Sequence, residues 1–328
     1  NVTITGCSGP HNGVALNASL FINSLEDLVI DNVVVDESSA TGGRGNALKS
    51  WPGWVKHMTI RNSKFIVSRA NNSEPIPIEI WNFLKDCEIS NSEFRGGYLS
   101  FVSGAQDGGT WALKFHDNLV DFSEAGTWGE GHELSMSHLD FYNNHVVGYG
   151  VSVWNASHMY NYEGVRNVRI RNNVIEKTPK RAVMVLPGIP LNTAIDNVEI
   201  HNNVISEAQG SGIQLAFSSA RLTNLKISNN VIQNTTEAAI GSYGASSDRC
   251  VSPVITNNVY FNSGGFGNLG CSNVTNTNNR ALNPQFKGTG NWIEWFSLQN
   301  SSPLIDAGAN VGLPFKGSAP DIGAFELQ

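Results

Sequence analysis

A chain of 328 residues with a formal net charge of −7 at pH 7 and no basic tract shows none of the charge pattern that binds nucleic acid. Charged residues make up only 15 % of it and glycine occurs 33 times, which is unusual for long helices and typical of short strands joined by polar turns. No apolar run reaches the roughly 18 to 20 residues of a membrane-spanning helix. The sequence begins inside a strand-like segment at Val2, which indicates a mature or trimmed protein.

The strongest pattern is a repeat with an apolar residue two positions before an Asn and another three positions after it. The central residue recurs at intervals of 26 to 30 residues, at Asn32, Asn62, Asn91, Asp117, Asn143, Asn172, Asn202, Asn229 and Asn257. A single coil of this length cannot bury its own apolar face, so the coils are expected to stack. Asn tolerates the left-handed backbone of a sharp turn, and stacked amides can bond to one another. We interpret this ladder as structural, without a chemical role.

A second strand precedes each repeat and alternates between apolar and polar residues, as in Leu48-Lys49-Ser50 and Leu134-Ser135-Met136. Each coil is therefore predicted to hold three short strands, with the Asn turn between the second and the third. The predicted fold class is all-β, a parallel β-helix of about ten coils. Residues 1–280 would form the helix, and residues 281–328 a C-terminal capping segment of the same domain.

The four cysteines allow one simple pairing. Cys250 and Cys271 are close enough in sequence to lie on neighbouring coils, and we expect a disulfide between them. Cys7 and Cys87 lie about three coils apart, on the order of 14 Å at ~4.8 Å per strand, which is too far for a bond. These two are expected to be buried thiols.

These features, over roughly residues 1–280, resemble the right-handed parallel β-helix superfamily of pectate lyases and polygalacturonases. Segments 283–286, 302–308 and 320–326 are similar to the closing segment of many bacterial secreted β-helix proteins. The resemblance implies a right-handed helix, a tail that caps its open end, and a secreted or cell-surface protein that acts on extracellular polysaccharide. No catalytic signature can be transferred residue by residue, because this fold hosts many activities.

In that superfamily, substrates lie along the outer face of the strand that precedes the Asn turn. The outward residues predicted there include charged, hydroxyl and aromatic side chains, namely Lys49, Glu79, Trp81, Ser100, Glu133, Ser135, Ser152, Trp154 and Gln214. The preceding loops add the cations Arg44, Arg69 and Arg95, and a longer loop with Trp128, Glu130 and His132. Arginine pairs with carboxylates through forked hydrogen bonds, and aromatic rings such as Trp81 and Trp154 stack on sugar faces.

Two reactions fit these residues. The first choice is β-elimination on a uronic-acid polymer, with the arginines binding the uronate and Lys49, His132 or a nearby Tyr as the base. Lys49 must be neutral to act as a base, and Glu79 on the next coil opposes this by stabilising the ammonium. The alternative is inverting glycoside hydrolysis by Glu79 and Glu133. Two strand spacings separate their Cα atoms by about 9 to 10 Å, which suits an inverting pair of carboxyl groups.

Two further alternatives stay open. Glu79, Glu130 and Glu133 offer the hard oxygen ligands that Ca²⁺ prefers, whereas the eight histidines show no zinc spacing. The protein could also be a non-catalytic adhesin or structural β-helix in which Arg and Trp side chains only bind glycan, or in which Arg and Glu form surface ion pairs. Long loops at 67–77 and 122–132 favour a walled cleft, and hence an enzyme.

Overall fold

The computed structural model describes residues 2–5, 18–39, 44–51, 53–70, 74–103, 111–125, 131–154, 164–186, 194–216, 221–244 and 249–327. Within these ranges the chain winds into a solenoid of parallel strands that form sheets of nine, ten and eleven strands and a short sheet of three. Each complete coil contributes one strand to each long sheet, in the order nine-stranded, ten-stranded, eleven-stranded. The predicted all-β parallel β-helix is confirmed.

The strand bounds follow the coil repeat. The nine-stranded sheet contains Ala18–Ile22, Arg44–Ser50, Glu74–Ile80, Ser100–Ser103, His132–Met136, Val151–Trp154, Val183–Leu186, Ile213–Ala216 and Ile240–Tyr243. The ten-stranded sheet contains Val29–Asp31, Thr59–Arg61, Cys87–Ser90, Leu113–His116, Leu139–Tyr142, Gly164–Arg171, Ala194–His201, Leu222–Ser228, Val254–Thr256 and Thr275–Thr277. The eleven-stranded sheet contains Val2–Thr5, Val33–Asp36, Lys64–Ile66, Glu93–Arg95, Leu119–Asp121, His145–Val147, Val174–Glu176, Val204–Ser206, Val231–Gln233, Val259–Phe261 and Arg280–Ala281.

The described residues contain few other elements of regular secondary structure. The three-stranded sheet consists of Leu25–Glu26, Trp54–Lys56 and Phe83–Lys85. In the described part of the chain the helices are the 3-10 turn Ser123–Ala125 and the short α-helix Trp292–Trp295. None of the helices described is long and apolar enough to cross a membrane.

The predicted Asn turns lie between the ten-stranded and eleven-stranded sheets, and their backbones are left-handed. Asn62, for example, has φ 52° and Asn172 has φ 54°. Asn and Asp adopt this region more readily than most other residues, which explains why they recur at this corner. The sequence therefore identified the turn residues correctly.

The continuous amide ladder lies one residue later than the turn. At this position Ser63, Ser92, Asn118, Asn144, Asn173, Asn203, Asn230 and Asn258 are buried, and we call these eight residues the inner ladder. Each donates its backbone N–H to the side chain of the next coil, as from Asn144 to Asn173 Oδ1 at 2.9 Å and from Asn173 to Asn203 Oδ1 at 3.0 Å. Asn173 Nδ2 also donates to Phe141 O at 3.0 Å. The inner ladder thus satisfies backbone groups that a sharp buried corner would otherwise leave unpaired.

The core is apolar and stacked in the same register. Phe65, Phe94, Phe115 and Phe141 come from successive coils, with ring centroids 5.1 to 5.4 Å apart. All four rings are fully buried. Phe65 and Phe94 stack in register on the eleven-stranded sheet, and Phe115 and Phe141 do so on the ten-stranded sheet. The contact between Phe94 and Phe115 joins the two sheets across the interior.

The C-terminal segment packs along the flank of the solenoid. Outward valines of the eleven-stranded sheet, such as Val204 and Val231, are buried in one cluster with Leu304 and Ile322 of this segment. The outer turn residues bind its backbone, because Asn172 Nδ2 donates to Ala324 O at 3.1 Å. The tail therefore covers an apolar strip on the outside of the solenoid.

The cysteines agree with the sequence analysis where the structure describes them. Cys250 and Cys271 form the predicted disulfide. Cys87 is a buried free thiol, as predicted, and Cys7 lies outside the described residues.

We predict that Asn173→Ala lowers the free energy of unfolding by about 2 to 4 kcal/mol, because it leaves buried donors and acceptors on two neighbouring coils unpaired. Asn143→Gly is the matched control at an exposed left-handed turn, and it should cost less than about 1 kcal/mol. Chemical denaturation followed by tryptophan fluorescence measures both. Equal losses in the two variants would contradict a special role for the inner ladder.

Candidate functional site

Most of the predicted outward residues of the nine-stranded sheet align in one column. Backbone pairing aligns Lys49 with Glu79, Glu79 with Ser100, Ser100 with Glu133 and Glu133 with Ser152. The alignment continues through Met184 to Gln214. We call the residues from Lys49 to Gln214 in this line the outer column. Glu79 and Glu133 are two strands apart, the separation inferred from the sequence.

The first part of the outer column is a buried ion pair. Lys49 Nζ lies 2.7 Å from Glu79 Oε2, and the two side chains are 5 % and 0 % exposed. Asn46 Nδ2 also donates to Glu79 Oε2. Lys49 Nζ is 5.6 Å from the ring centroid of Trp81, within the range of a cation–π contact. Glu79 Oε2 therefore accepts from two donors, and the Lys49 nitrogen is bound to it.

Glu133 belongs to a second chain of hydrogen bonds in the same column. Trp81 Nε1 donates to Ser100 Oγ at 2.9 Å, and Ser100 Oγ donates to Glu133 Oε2 at 2.5 Å. Glu133 is partly exposed, whereas Ser100 is fully buried. Ser100 thus connects the tryptophan to the carboxylate. Alternation on its strand had placed it outward, but nothing in the sequence indicated this bridging position.

His132 does not share the face of Glu133. It pairs with Val151, a core residue, and its side chain is fully buried. Its Nδ1 accepts the backbone N–H of Leu99 at 3.0 Å, and its ring meets Tyr149 edge-on with centroids 5.2 Å apart. Burial lowers the pKa of His132 to about 3. An imidazole in this position is neutral but directed away from the outer column, so we assign it no part in the site.

Of the three predicted arginines, Arg95 lies away from the outer column. Arg95 lies on the eleven-stranded sheet, where its Nε is 3.0 Å from Glu93 Oε2 and its Nη1 is 3.4 Å from Asp121 Oδ2. Arg69 donates from Nη1 to Glu124 O at 3.3 Å. Arg44 begins a strand of the nine-stranded sheet, and its side chain lies outside the described residues. Arg95 therefore forms surface ion pairs, as the non-catalytic alternative in the sequence analysis expects.

The remaining predicted residues extend the site or lie outside it. Trp154 is partly exposed at the end of its strand, and its carbonyl accepts from Ser135 Oγ. Trp128 and Glu130 are outside the described residues, as are positions 71–73 and 126–130 of the two long loops. Among the described residues, no group of three or more His, Cys, Asp or Glu side chains is arranged to hold a metal ion.

Several polar atoms of the outer column are buried and unpaired. Glu79 Oε1, Ser152 Oγ and Gln214 Oε1 have no hydrogen-bond partner, although each is closed off from solvent. A buried polar atom without a partner costs about 1 to 3 kcal/mol. Three such oxygens in a single line are therefore a candidate for hydrogen bonding to a ligand.

The sequence matches the family described as the right-handed β-helix region over residues 1–258. Because this match covers more than half of the chain, the protein belongs to the right-handed β-helix family. A search of curated proteins finds no match.

Among solved structures, one match is the catalytic domain of a GH87 α-1,3-glucanase, determined with tetrasaccharides. The identity is 13 % and the TM-score 0.33, over 86 % of this chain and 64 % of that one. The protein thus spans less than two thirds of that domain.

We predict that stability falls as the pH decreases from about 6.5. Burial lowers the pKa of His132 from 6.5 to about 3, and burial is also the main cause that lowers the pKa of His201 from 6.5 to about 4. Below 6.5 the unfolded chain therefore binds protons that the folded chain excludes. Each histidine should remove about 1.4 kcal/mol of unfolding free energy per pH unit until its folded pKa is reached.

His132→Asn tests this directly, because the asparagine oxygen can still accept the Leu99 N–H but does not titrate. Denaturant midpoints measured between about pH 6.5 and pH 4 should depend less steeply on pH in this variant. His201→Asn should reduce the pH dependence of the denaturant midpoint by a similar amount. An unchanged slope in His132→Asn would show that its imidazole is protonated in the folded protein.

Proposed function

We propose that the protein acts on an extracellular polysaccharide, with the outer column of the nine-stranded sheet as the reaction site. The observation that carries the proposal is the alignment of Glu79 and Glu133 on strands two apart, with Ser100 between them and Trp81 bonded to it. A location outside the cell is supported by the Cys250–Cys271 disulfide, since such bonds persist mainly in oxidising compartments.

The unpaired oxygens of Glu79, Ser152 and Gln214 support binding of a hydroxyl-rich chain. Sugar hydroxyls donate hydrogen bonds, and they would give these oxygens the partners that they lack. The line from Glu79 to Gln214 runs across successive strands, in the direction in which an extended polymer would lie. Partly exposed Trp81 and Trp154 border this line and are suited to stack on sugar rings.

Between the two reaction classes, the geometry favours inverting hydrolysis over β-elimination. Elimination needs a free base and a cation for the uronate, but Lys49 is bound to Glu79 and Arg95 is bound to Glu93 and Asp121. Hydrolysis needs one carboxylate base and one carboxylic acid about 6.5 to 9.5 Å apart. Glu79, which is paired with Lys49, would be the base, and Glu133 would then be the acid.

This mechanism imposes one structural requirement. The Glu79 side chain has no exposure to solvent, and Ser152 Oγ and Gln214 Oε1 are also closed off, so these atoms must become accessible when the polymer binds. The same burial favours the second candidate function, a non-catalytic glycan-binding protein. In that case Lys49 and Glu79 would be a structural ion pair, and sugar would contact only the exposed tryptophans and Glu133.

We predict that Glu133→Gln and Glu79→Gln each lower turnover by about 100-fold or more, because each removes a proton-transfer group. Glu93→Gln is the control, since Glu93 is a paired carboxylate on another sheet. Activity is measured on a panel of acidic and neutral polysaccharides, by release of reducing ends and by the ultraviolet absorbance of unsaturated uronates.

The outcomes separate the candidates. Reducing ends without unsaturated product support hydrolysis, whereas unsaturated product would establish elimination. Binding without turnover on the whole panel would establish the non-catalytic function. Full activity in both glutamine variants would show that the site lies elsewhere.

A further inference from the structure

A separate cleft lies on the outer face of the ten-stranded sheet. It has a volume of about 320 Å³ and is lined by Trp111, His138, Asn167, Val168, Arg169, Asn197 and Glu199. These residues belong to four neighbouring coils, and the outer column lies on a different sheet. The volume is at the lower end of the range for small-molecule sites.

One wall of the cleft is an aromatic ring held in place by a cation. The guanidinium carbon of Arg169 lies 4.9 Å from the ring centroid of Trp111. Arg169 is itself fixed, because its Nε is 3.1 Å from Glu199 Oε2. Both Trp111 and Arg169 are partly exposed. A partly exposed indole that is already held in position loses little conformational entropy when a sugar ring stacks on it.

The two charged residues that line the cleft, Arg169 and Glu199, offset each other. Glu199 pairs with Arg169 and also with Lys226, whose Nζ is 2.9 Å from Glu199 Oε1. Burial alone would raise the pKa of Glu199, but these two cations outweigh it and the pKa is lowered. The carboxylate therefore stays charged as a hydrogen-bond acceptor, and its charge is offset locally. A cleft of this kind gives little attraction to an anionic unit.

The amides of the cleft are fixed in the same way. Asn197 Nδ2 donates to Asn167 Oδ1 at 2.7 Å, and Asn167 Nδ2 lies 3.3 Å from a ring nitrogen of His138. Both Asn residues are left-handed turn residues, with φ 57° and 53°. Their side chains thus form a row of ordered donors and acceptors beside the indole, a combination suited to the hydroxyls of a pyranose.

We propose that this cleft binds an uncharged, hydroxyl-rich sugar unit and is a second carbohydrate site separate from the outer column. Trp111 would stack on the sugar ring, and Glu199, Asn167 and Asn197 would bond to its hydroxyls. The proposal does not depend on whether the outer column is catalytic. This second site would allow the protein to hold one part of a glycan at the cleft while another part of the glycan occupies the outer column.

Titration calorimetry with short malto-, cello-, laminari- and nigero-oligosaccharides, and with oligogalacturonate as the charged comparison, tests the proposal. At least one neutral sugar should bind, and Trp111→Ala should weaken the affinity for that sugar by at least about tenfold. The control is Trp295→Ala, an exposed tryptophan on the C-terminal segment, which should bind like the unmodified protein. Thermal melts verify that both variants are folded.

Glu199→Gln is the second, shape-conserving variant. This variant should bind the neutral sugar more weakly and oligogalacturonate more tightly, because Arg169 and Lys226 lose their shared counter-charge. Glu133→Gln should leave binding at the cleft unchanged, which separates this proposal from the catalytic one. The proposal is overturned if no neutral sugar binds, if Trp111→Ala binds as well as the unmodified protein, or if the unmodified protein binds only oligogalacturonate.

Discussion

The inner ladder is the constraint on which the rest of the solenoid depends. Each of its residues bonds to the equivalent residue one coil away, so neighbouring coils must stack without a slip at this corner. The buried inward face opposes a one-residue slip, which would turn its apolar side chains outward, but a slip of two residues would keep them inward. The side-chain bonds of the inner ladder fix the register. The phenylalanine stack inside and the outer column of the nine-stranded sheet therefore stay aligned across the coils.

Once the register is fixed, the three long sheets can carry different outer faces. The eleven-stranded sheet presents valines, and the C-terminal segment covers them. The nine-stranded sheet presents a buried line of carboxylates and hydroxyls with unpaired oxygens. The ten-stranded sheet stays open around Trp111 and Arg169. One apolar interior thus supports an apolar flank, a polar candidate site and an open cleft, because strand alternation separates inward from outward residues.

The sequence predicted the coil repeat, the left-handed Asn turns and the outer column, since all three follow from short-range periodicity. It did not locate the inner ladder, because adjacent positions such as Asn172 and Asn173 are both Asn and periodicity alone cannot assign their directions. His132 was grouped with Glu133 as a neighbour, although alternation from Glu133 already directs it inward. Arg95 was assigned to the site although Glu93, two residues earlier on the same face, is its partner. The cleft was missed because Trp111 meets Arg169 only across coils.

The most direct test of the account is a crystal structure of Glu133→Gln with an oligosaccharide from the polymer that the protein cleaves or binds. The account predicts sugar rings along the outer column, a glycosidic oxygen between Glu79 and position 133, and hydroxyls bonded to Ser152 and Gln214. It also predicts that the Glu79 side chain becomes accessible. An oligosaccharide bound elsewhere, with Lys49, Glu79 and Ser100 still closed and unchanged, would contradict the assignment of the outer column as the reaction site.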